Sequence, residues 1–217
     1  MATLSDPAVF LRAKEIIDDA HREDPSGQEI IYADNVEKYL RILVAPEEPT
    51  NVQVIASRCQ HLRRFLHPRS TYPDGKPGYL RWRRDLYTLQ ANYSTTLLSP
   101  LSLPESELAE ITSAISKKDL LIKSKVHPTT ILLEDAAVLV FLSNEVEGFK
   151  KQHEEYDEEK WVGIVKKTWR KLSDRGKEEA GKLLPELEEG LRAVVERVVR
   201  EEGEKEGEKE GSSAGRE

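Results

Sequence analysis

Two adjacent acids, Glu134 and Asp135, are the strongest candidates in this sequence for residues of a functional site. They lie in the stretch ILLEDAAVLVFL, residues 131–142, which is apolar at ten of its twelve positions. Such a stretch predicts a buried element. A buried carboxylate needs cationic, hydrogen-bonding or metal partners, because its ionised form is costly to desolvate. The sequence therefore predicts a polar site at this element.

The cations that could serve as partners are concentrated in one segment. Residues 58–84 carry eight Lys or Arg and two His against one acid, Asp74, which gives a local charge of +7 in a chain of net charge −7. Arg58, His61 and Arg64 are spaced by three residues and are expected on one side of a helix. Because arginine offers a planar fork of donors that matches phosphate oxygens, this segment favours an anion or phosphate site faced by the buried acids.

The candidate site residues follow from this arrangement. The phosphate-binding candidates are five arginines of the basic segment: Arg58, Arg64, Arg69, Arg81 and Arg84. The catalytic candidates are His61, Glu134 and Asp135, with His61 as a metal ligand or general acid/base and the acids positioning water or a metal. His61 and Asp135 are the candidate ligands of a divalent metal. Internal pairing of the acids with the arginines remains an open alternative.

Aromatic residues are interleaved with the basic ones in the second half of this segment. Tyr79, Trp82 and Leu86 have helical spacing and are expected to face inward, whereas Arg83 is expected to point elsewhere. Basic residues mixed with aromatic ones could also bind single-stranded RNA. The spacing favours Trp82 as a core residue over Trp82 as a stacking platform.

Length and composition bound the class of protein. At 217 residues, with 38% hydrophobic and 34% charged residues, the chain suggests one domain with a large solvated surface. A lone cysteine, Cys59, excludes an internal disulfide and favours a reducing compartment. The N-terminus shows no secretory signal, and the longest uninterrupted apolar run, residues 136–142, is too short to cross a bilayer. A cytoplasmic protein without a membrane partner is expected.

The apolar spacing is helical almost throughout, which predicts an all-α fold. Helices are predicted over residues 7–22, 28–43, 50–66, 79–97 and 104–116, after Pro128, from about Asp157, and from Arg175 or Leu184 to Arg200. His67 to Gly78 is predicted to be a loop, because three prolines and two glycines fall within it. Residues 1–200 are expected to form one helical domain. Residues 201–217, which read EEGEKEGEKEGSSAGRE, are expected to be a disordered tail.

Three motifs in order identify a resemblance to a known family. RCQHLRRFLHPRSTYPDGKPGYLRWRRDL, LEDAAVLVFL and KTWRKLSDRG closely resemble a family catalogued as a domain of unknown function, over most of residues 6–176. Members of this family are often labelled glutamyl-tRNA synthetase. The residues here do not support that activity, because KLSDR lacks the second lysine of the synthetase loop and no His-Ile-Gly-His motif precedes it.

The layout also resembles, more remotely, the HD superfamily of helical metal-dependent phosphohydrolases. YADNVEKYL is similar to the first motif of that superfamily, with Tyr32 in place of histidine. ASRCQHLRRF is similar to the second, with His61 retained and Leu62 in place of aspartate, and LLEDAAVLVF is similar to the third, with Asp135 retained. The resemblance implies an HD-like helical bundle in which two metal ligands are replaced.

Three functions remain open from the sequence. The first is a phosphohydrolase-like enzyme acting on a nucleotide or a small phosphorylated metabolite, with a divalent metal as its possible cofactor. The second is a noncatalytic module that binds a nucleotide, tRNA or another RNA through the same basic groups. The third is a scaffold protein whose buried ion pairs fix the packing of its helices.

Overall fold

The computed structural model describes residues 2–122 and 124–213, with side chains up to residue 204. These residues form ten α-helices and contain no strand, which confirms the predicted all-α fold. None of the described helices combines the length and apolar character needed to cross a membrane. The contacts divide the chain into two compact units, Met1–Ala137 and Val138–Glu217. A single domain over residues 1–200 stays a prediction.

The first unit is built from five helices and the first part of a sixth. Their bounds are Pro7–Arg22 (α1), Gln28–Val44 (α2), Asn51–Arg58 (α3), Gly75–Leu98 (α4), Glu105–Ile115 (α5) and Pro128–Val140 (α6). The Asp6 side chain caps α1 by accepting from the Ala8 amide, with Pro7 in the first turn. Thr50 and Gln53 form a reciprocal capping box at the start of α3. The boundary between the two units falls within α6.

The core of the first unit lies between α1, α3, α4, α5 and α6. Each of these helices contributes apolar side chains that are almost fully buried, among them Ile17, Ile55, Leu98, Ile111 and Leu133. Leu4, before α1, and Leu62, after α3, belong to the same core. Burial of a side chain of this size stabilises the fold by roughly 1.5–3 kcal/mol. The helices that carry the polar residues of interest are therefore fixed by a continuous apolar core.

The predicted helix over residues 50–66 is wrong in its second half, because α3 ends at Arg58. The buried side chain of Glu29 accepts hydrogen bonds from the backbone amides of Arg63 at 3.0 Å and Phe65 at 2.8 Å. His61 and Arg63 adopt left-handed backbone conformations, with φ of 60° and 54°. A carboxylate on another helix has replaced the helical partners of these amides, so the chain turns instead of continuing as a helix.

The start of α4 lies four residues before the predicted one. The helix begins at Gly75, preceded by short 3₁₀ turns at Arg64–Leu66 and Arg69–Thr71. A Cβ atom at Gly78 would lie 1.9 Å from the carbonyl oxygen of Pro73, so only glycine allows this close approach. The contact fixes the first turn of α4 against the preceding loop.

The second unit contains the remaining helices. After a π-helical turn at Phe141–Glu145 they are Val146–Gln152 (α7), Glu158–Trp169 (α8), Asp174–Leu183 (α9) and Glu189–Ser213 (α10). The helix predicted from about Asp157 is α8, and the Asp157 side chain caps it by accepting from the Lys160 amide. Ser173 accepts from the Gly176 amide at the start of α9, which gives the KLSDR motif a structural role.

The first residues of the predicted tail belong to α10 rather than to a disordered segment. Glu201 pairs with Lys166 at 2.9 Å, and Glu202 pairs with Arg170 at 2.6 Å. These ion pairs between α10 and α8 compensate for the absence of apolar residues, so a disordered tail from residue 201 is wrong at these two positions. Disorder of the remaining tail stays a prediction, and residues 214–217 lie outside the described residues.

Candidate functional site

A run of contacts within the first unit joins cations, aromatic rings and one buried acid. We call it the His61 cluster, and its members are Tyr32, His61, Arg64, Tyr79, Trp82, Arg83, Tyr87, Lys117 and Glu134. They come from α2, the turn after α3, α4, the turn after α5, and α6. Arg64 contacts the imidazole directly, whereas Arg83, Lys117 and Glu134 are connected to it through the aromatic residues of α4.

His61 lies between an aromatic ring and a guanidinium. Its imidazole stacks on the ring of Tyr32, with centroids 3.7 Å apart and planes inclined by 11°. Arg64 Nη1 lies 2.7 Å from His61 Nε2, and because a guanidinium can only donate, the imidazole nitrogen accepts this hydrogen bond. The Arg64 guanidinium also lies 4.8 Å from the ring centroid of Trp82. These contacts hold both side chains in place although the helix predicted here is absent.

Arg83 is half-buried between two tyrosines of α4. Its guanidinium lies 6.0 Å from the ring centroid of Tyr79 and 5.5 Å from that of Tyr87. It donates to both phenolic oxygens, at 3.4 Å to Tyr79. Residues 79, 83 and 87 follow one another at helical spacing, so α4 presents them as one stripe.

Lys117 connects this stripe to the buried acid of α6. Its ammonium lies 5.3 Å from the ring centroid of Tyr87 and donates to Glu134 Oε2. Glu134 and Asp135 are both almost fully buried, and both have partners, as the sequence predicts for acids in an apolar stretch. Lys117 adopts a left-handed conformation with φ of 54° in the turn after α5.

The electrostatic environment keeps His61 neutral. Partial burial lowers the pKa of its imidazole well below the ordinary value of 6.5, and the positive charges of Arg64, Lys117 and Arg83 lower the pKa further. A neutral imidazole can accept a proton or a hydrogen bond at neutral pH.

The structure places Arg58 in a different environment from the other candidates. It is 2% exposed and donates to three carboxylates: Asp18 at 2.5 Å, Asp34 at 2.9 Å and Glu37 at 2.9 Å. The expectation that Arg58 shares a helical face with His61 and Arg64 is wrong, because α3 ends at Arg58 and its guanidinium turns toward α1 and α2. Its contacts are those of a structural ion-pair centre.

The remaining arginine candidates lie apart from the cluster contacts. Arg69 donates to the carbonyl oxygens of Tyr72 at 2.9 Å and Pro73 at 2.8 Å, and so closes its own loop. Arg81 is exposed and lies 3.7 Å from Asp85, and Arg84 is exposed. The structure thus brings His61, Arg64 and Glu134 into one cluster. Phosphate binding by the other three arginines stays a prediction without a contact to the cluster.

A divalent metal at His61 and Asp135 has no described ligand set to support it. Among the described residues, no group of three or more His, Cys, Asp or Glu side chains is arranged to hold a metal ion. Tight binding of such an ion commonly needs at least three protein ligands. Metal ligation by His61 and Asp135 therefore stays a prediction, and we derive no step from it.

Sequence reasoning missed two cations of the cluster and misplaced one ring. Lys117 carried no signal, because it lies outside the basic segment and reaches Glu134 only through the turn after α5. Arg83 was expected to point away, and Tyr79 to face inward, yet Tyr79 is 41% exposed. The spacing of Tyr79, Arg83 and Tyr87 at four-residue intervals was the signal that could have grouped them. Trp82 is buried and donates to the His67 carbonyl oxygen at 2.8 Å, which confirms it as a core residue.

Comparison with known proteins gives one match. A family model described as Domain of unknown function (DUF4202) matches residues 11–195 of the chain. No curated protein and no solved structure matches it. The matched residues include every member of the His61 cluster. The remote similarity to HD-superfamily proteins stays a prediction.

Proposed function

Because the chain belongs to the family described as Domain of unknown function (DUF4202), a description that assigns no reaction, we propose its function from its own residues. The first unit binds a small phosphate ester at the His61 cluster. Arg64 and Arg83 hold the phosphate oxygens, and Lys117 stays paired with Glu134 at the end of the cluster. The neutral imidazole of His61 supplies a hydrogen-bonding group at the same place.

The observation that carries this proposal is the environment that Arg64 and Arg83 share. Both guanidiniums are half-buried, and among the described residues neither has a carboxylate within ion-pair distance. By contrast, the buried Arg58 is surrounded by three carboxylates. Partly desolvated positive charges without an acidic partner are costly, and sites that bind anions contain them for that reason.

Two further polar atoms lie on the same helical stripes. Gln90 Nε2 and Thr130 Oγ1 are buried, and no hydrogen-bond partner for them exists in the described part of the chain. Gln90 follows Tyr87 by three residues on α4, and Thr130 precedes Glu134 by four on α6. Unsatisfied buried polar atoms are rare in proteins, and these two lie on helices that also carry cluster residues. Their position on α4 and α6 supports a polar ligand of the first unit.

Hydrolysis of the bound ester is the second candidate function, and His61 favours it. The depressed pKa keeps its imidazole in the basic form at neutral pH. Its nitrogen accepts a hydrogen bond from Arg64, so an ester that draws Arg64 to its phosphate would release this nitrogen for a water molecule. His61 would then remove a proton from the water that attacks phosphorus, and the alkoxide would leave with a proton from solvent.

Two adjacent arginines of α4 provide a matched test of binding. Calorimetric titration with ribose 5-phosphate is expected to show saturable binding to the wild type. Arg83→Gln should weaken this binding by about 10-fold to 100-fold, the worth of one charge-assisted hydrogen bond. Arg84→Gln removes the same charge at an exposed position outside the cluster, and should change the affinity by less than about 2-fold.

The outcomes of these measurements separate binding from hydrolysis. Absence of binding to the wild type, or equal weakening by the two substitutions, would contradict binding at the cluster. Release of inorganic phosphate by the wild type that is lost in His61→Asn would support hydrolysis. Binding without phosphate release would restrict the function to binding alone.

A further inference from the structure

We propose that the ligand of the His61 cluster is a nucleoside phosphate whose base stacks on Tyr79. This inference rests on the proposed function, because it places the phosphate on Arg64 and Arg83. It adds the chemical class of the ester and names the residue that selects it. Tyr79 is outside the group of residues that would hold the phosphate.

Tyr79 contacts Arg83 directly and Arg64 through one intervening ring. The Arg83 guanidinium lies over the Tyr79 ring and donates to its hydroxyl oxygen. The ring centroids of Tyr79 and Trp82 are 5.9 Å apart, and the guanidinium of Arg64 lies 4.8 Å from the ring centroid of Trp82. A base stacked on Tyr79 would therefore lie next to Arg83, one aromatic ring away from Arg64.

The exposure of Tyr79 is the second observation. Tyr79 as a residue is 41% exposed, although the neighbouring Trp82 on the same helix is 7% exposed. The close approach of Gly78 to Pro73 fixes the backbone next to Tyr79, so the ring is presented from a rigid position. A fixed, partly exposed aromatic ring beside uncompensated guanidiniums matches a ligand that has both an aromatic base and a phosphate.

A sugar phosphate would use only half of this arrangement. Ribose 5-phosphate carries the phosphate that Arg64 and Arg83 require, but it has no aromatic surface to cover Tyr79. Adenosine 5′-monophosphate contains the same ribose 5-phosphate unit with a base attached. Base stacking on an aromatic side chain strengthens binding by about 5-fold to 100-fold. The two compounds therefore separate stacking on Tyr79 from phosphate binding.

The test compares these two compounds on the full-length protein by calorimetry. The wild type is expected to bind adenosine 5′-monophosphate at least about 5-fold more tightly than ribose 5-phosphate. Tyr79→Ala should bring this ratio close to one, whereas Tyr79→Phe, which keeps the ring and loses the hydroxyl, should retain it. Leu80→Ala is the matched control, because Leu80 is the next residue and is also exposed, and it should leave the ratio at the wild-type value.

Each outcome bears on one claim. A wild-type ratio near one with measurable binding of both compounds would overturn stacking on Tyr79 and leave phosphate binding standing. Loss of the ratio in Tyr79→Phe, or an unchanged ratio in Tyr79→Ala, would also overturn it. Binding of neither compound would overturn the proposed function, and the inference with it. A ratio that falls only in Tyr79→Ala would support both.

Discussion

Arg64 donates to the imidazole of His61 across 2.7 Å, and no carboxylate of the described chain lies within ion-pair distance of its guanidinium. Arg58, six residues earlier, has three carboxylates around it. The same basic segment therefore supplies one arginine to the core and another to a cationic cluster. This division separates the residues that stabilise the first unit from those that we propose to bind a ligand.

Removal of Arg58 should destabilise the protein strongly. Arg58→Met leaves the nearly buried carboxylates of Asp18 and Glu37 without their shared partner, and loss of one member of a buried ion-pair network typically costs about 3–5 kcal/mol. Urea unfolding measures the change. Arg12→Met is the control, because its pair with Glu15 is exposed on both sides and should be worth less than about 1 kcal/mol. Equal effects of the two substitutions would contradict the structural role of Arg58.

The same centre predicts a loss of stability in acid. Burial acts to raise the pKa of Glu37, but hydrogen bonds from Arg41, Lys14 and Arg58 outweigh it and lower the pKa from 4.5 to about 2. A carboxyl group whose pKa is lower in the folded protein than in the unfolded chain stabilises the fold. This stabilisation is fully present above the pKa of the unfolded chain, and it is lost as the pH falls from about 4.5 to about 2. The contribution is about 3 kcal/mol.

The check on Glu37 is the unfolding free energy of wild type and Glu37→Gln between pH 6 and pH 2. The difference between the two proteins should shrink as the pH falls through this window, because the wild-type side chain becomes neutral as well. A difference that stays constant down to pH 2 would show that the Glu37 charge contributes nothing to stability.

His61 predicts a pH dependence in a higher window. Because partial burial and the neighbouring positive charges lower its pKa below 6.5, the unfolded chain takes up a proton that the folded protein does not bind. The free energy of unfolding is therefore unaffected by the titration of His61 above about pH 6.5, and it decreases as the pH falls below that value. His61→Asn removes the titrating group, so its unfolding free energy should fall less than that of the wild type between pH 7 and pH 5.5. Identical slopes would contradict a depressed pKa at His61.

Glu29 predicts how the turn after α3 is held. Glu29→Gln replaces one of two carboxylate acceptors with a donor, so one of the amides of Arg63 and Phe65 loses its partner. An unsatisfied buried amide costs about 1–3 kcal/mol, which urea unfolding can measure. Glu23→Gln, which removes an exposed charge paired with the Arg63 side chain, should cost less than about 1 kcal/mol. A change of similar size in both variants would contradict the role of Glu29 in holding these amides.

The helical pattern allowed most of the fold to be predicted. Apolar spacing and the Asp6–Pro7 start placed α1, because both are local signals, and the predicted start near Asp157 placed α8. The end of α3 could not be predicted, because it depends on Glu29, which lies 34 residues before Arg63 and becomes a neighbour only in the folded chain. The sequence pattern predicted one last helix with two alternative starts, at Arg175 or Leu184, where the structure has two separate helices, α9 and α10.

The site was predicted in part for the same reason. Burial of Glu134 and Asp135 followed from the apolar composition of their segment. The partner of Glu134, Lys117, could not be identified from its local sequence, because it is brought to α6 by the turn after α5. Arg58 was assigned to phosphate because its carboxylates lie on other helices. The local sequence pattern does not show which charged residues become neighbours across different helices, so these ion pairs could not be predicted from it.

The most direct test of the central claim follows His61 by nuclear magnetic resonance while ribose 5-phosphate is added at pH 7. If Arg64 and Arg83 turn to the phosphate, the imidazole signals of His61 should shift in a saturable manner, with the dissociation constant found by calorimetry. The same titration of Arg83→Gln should show a weaker response by about 10-fold or more. Imidazole signals that stay unchanged while the sugar phosphate binds would contradict an anion site at the His61 cluster.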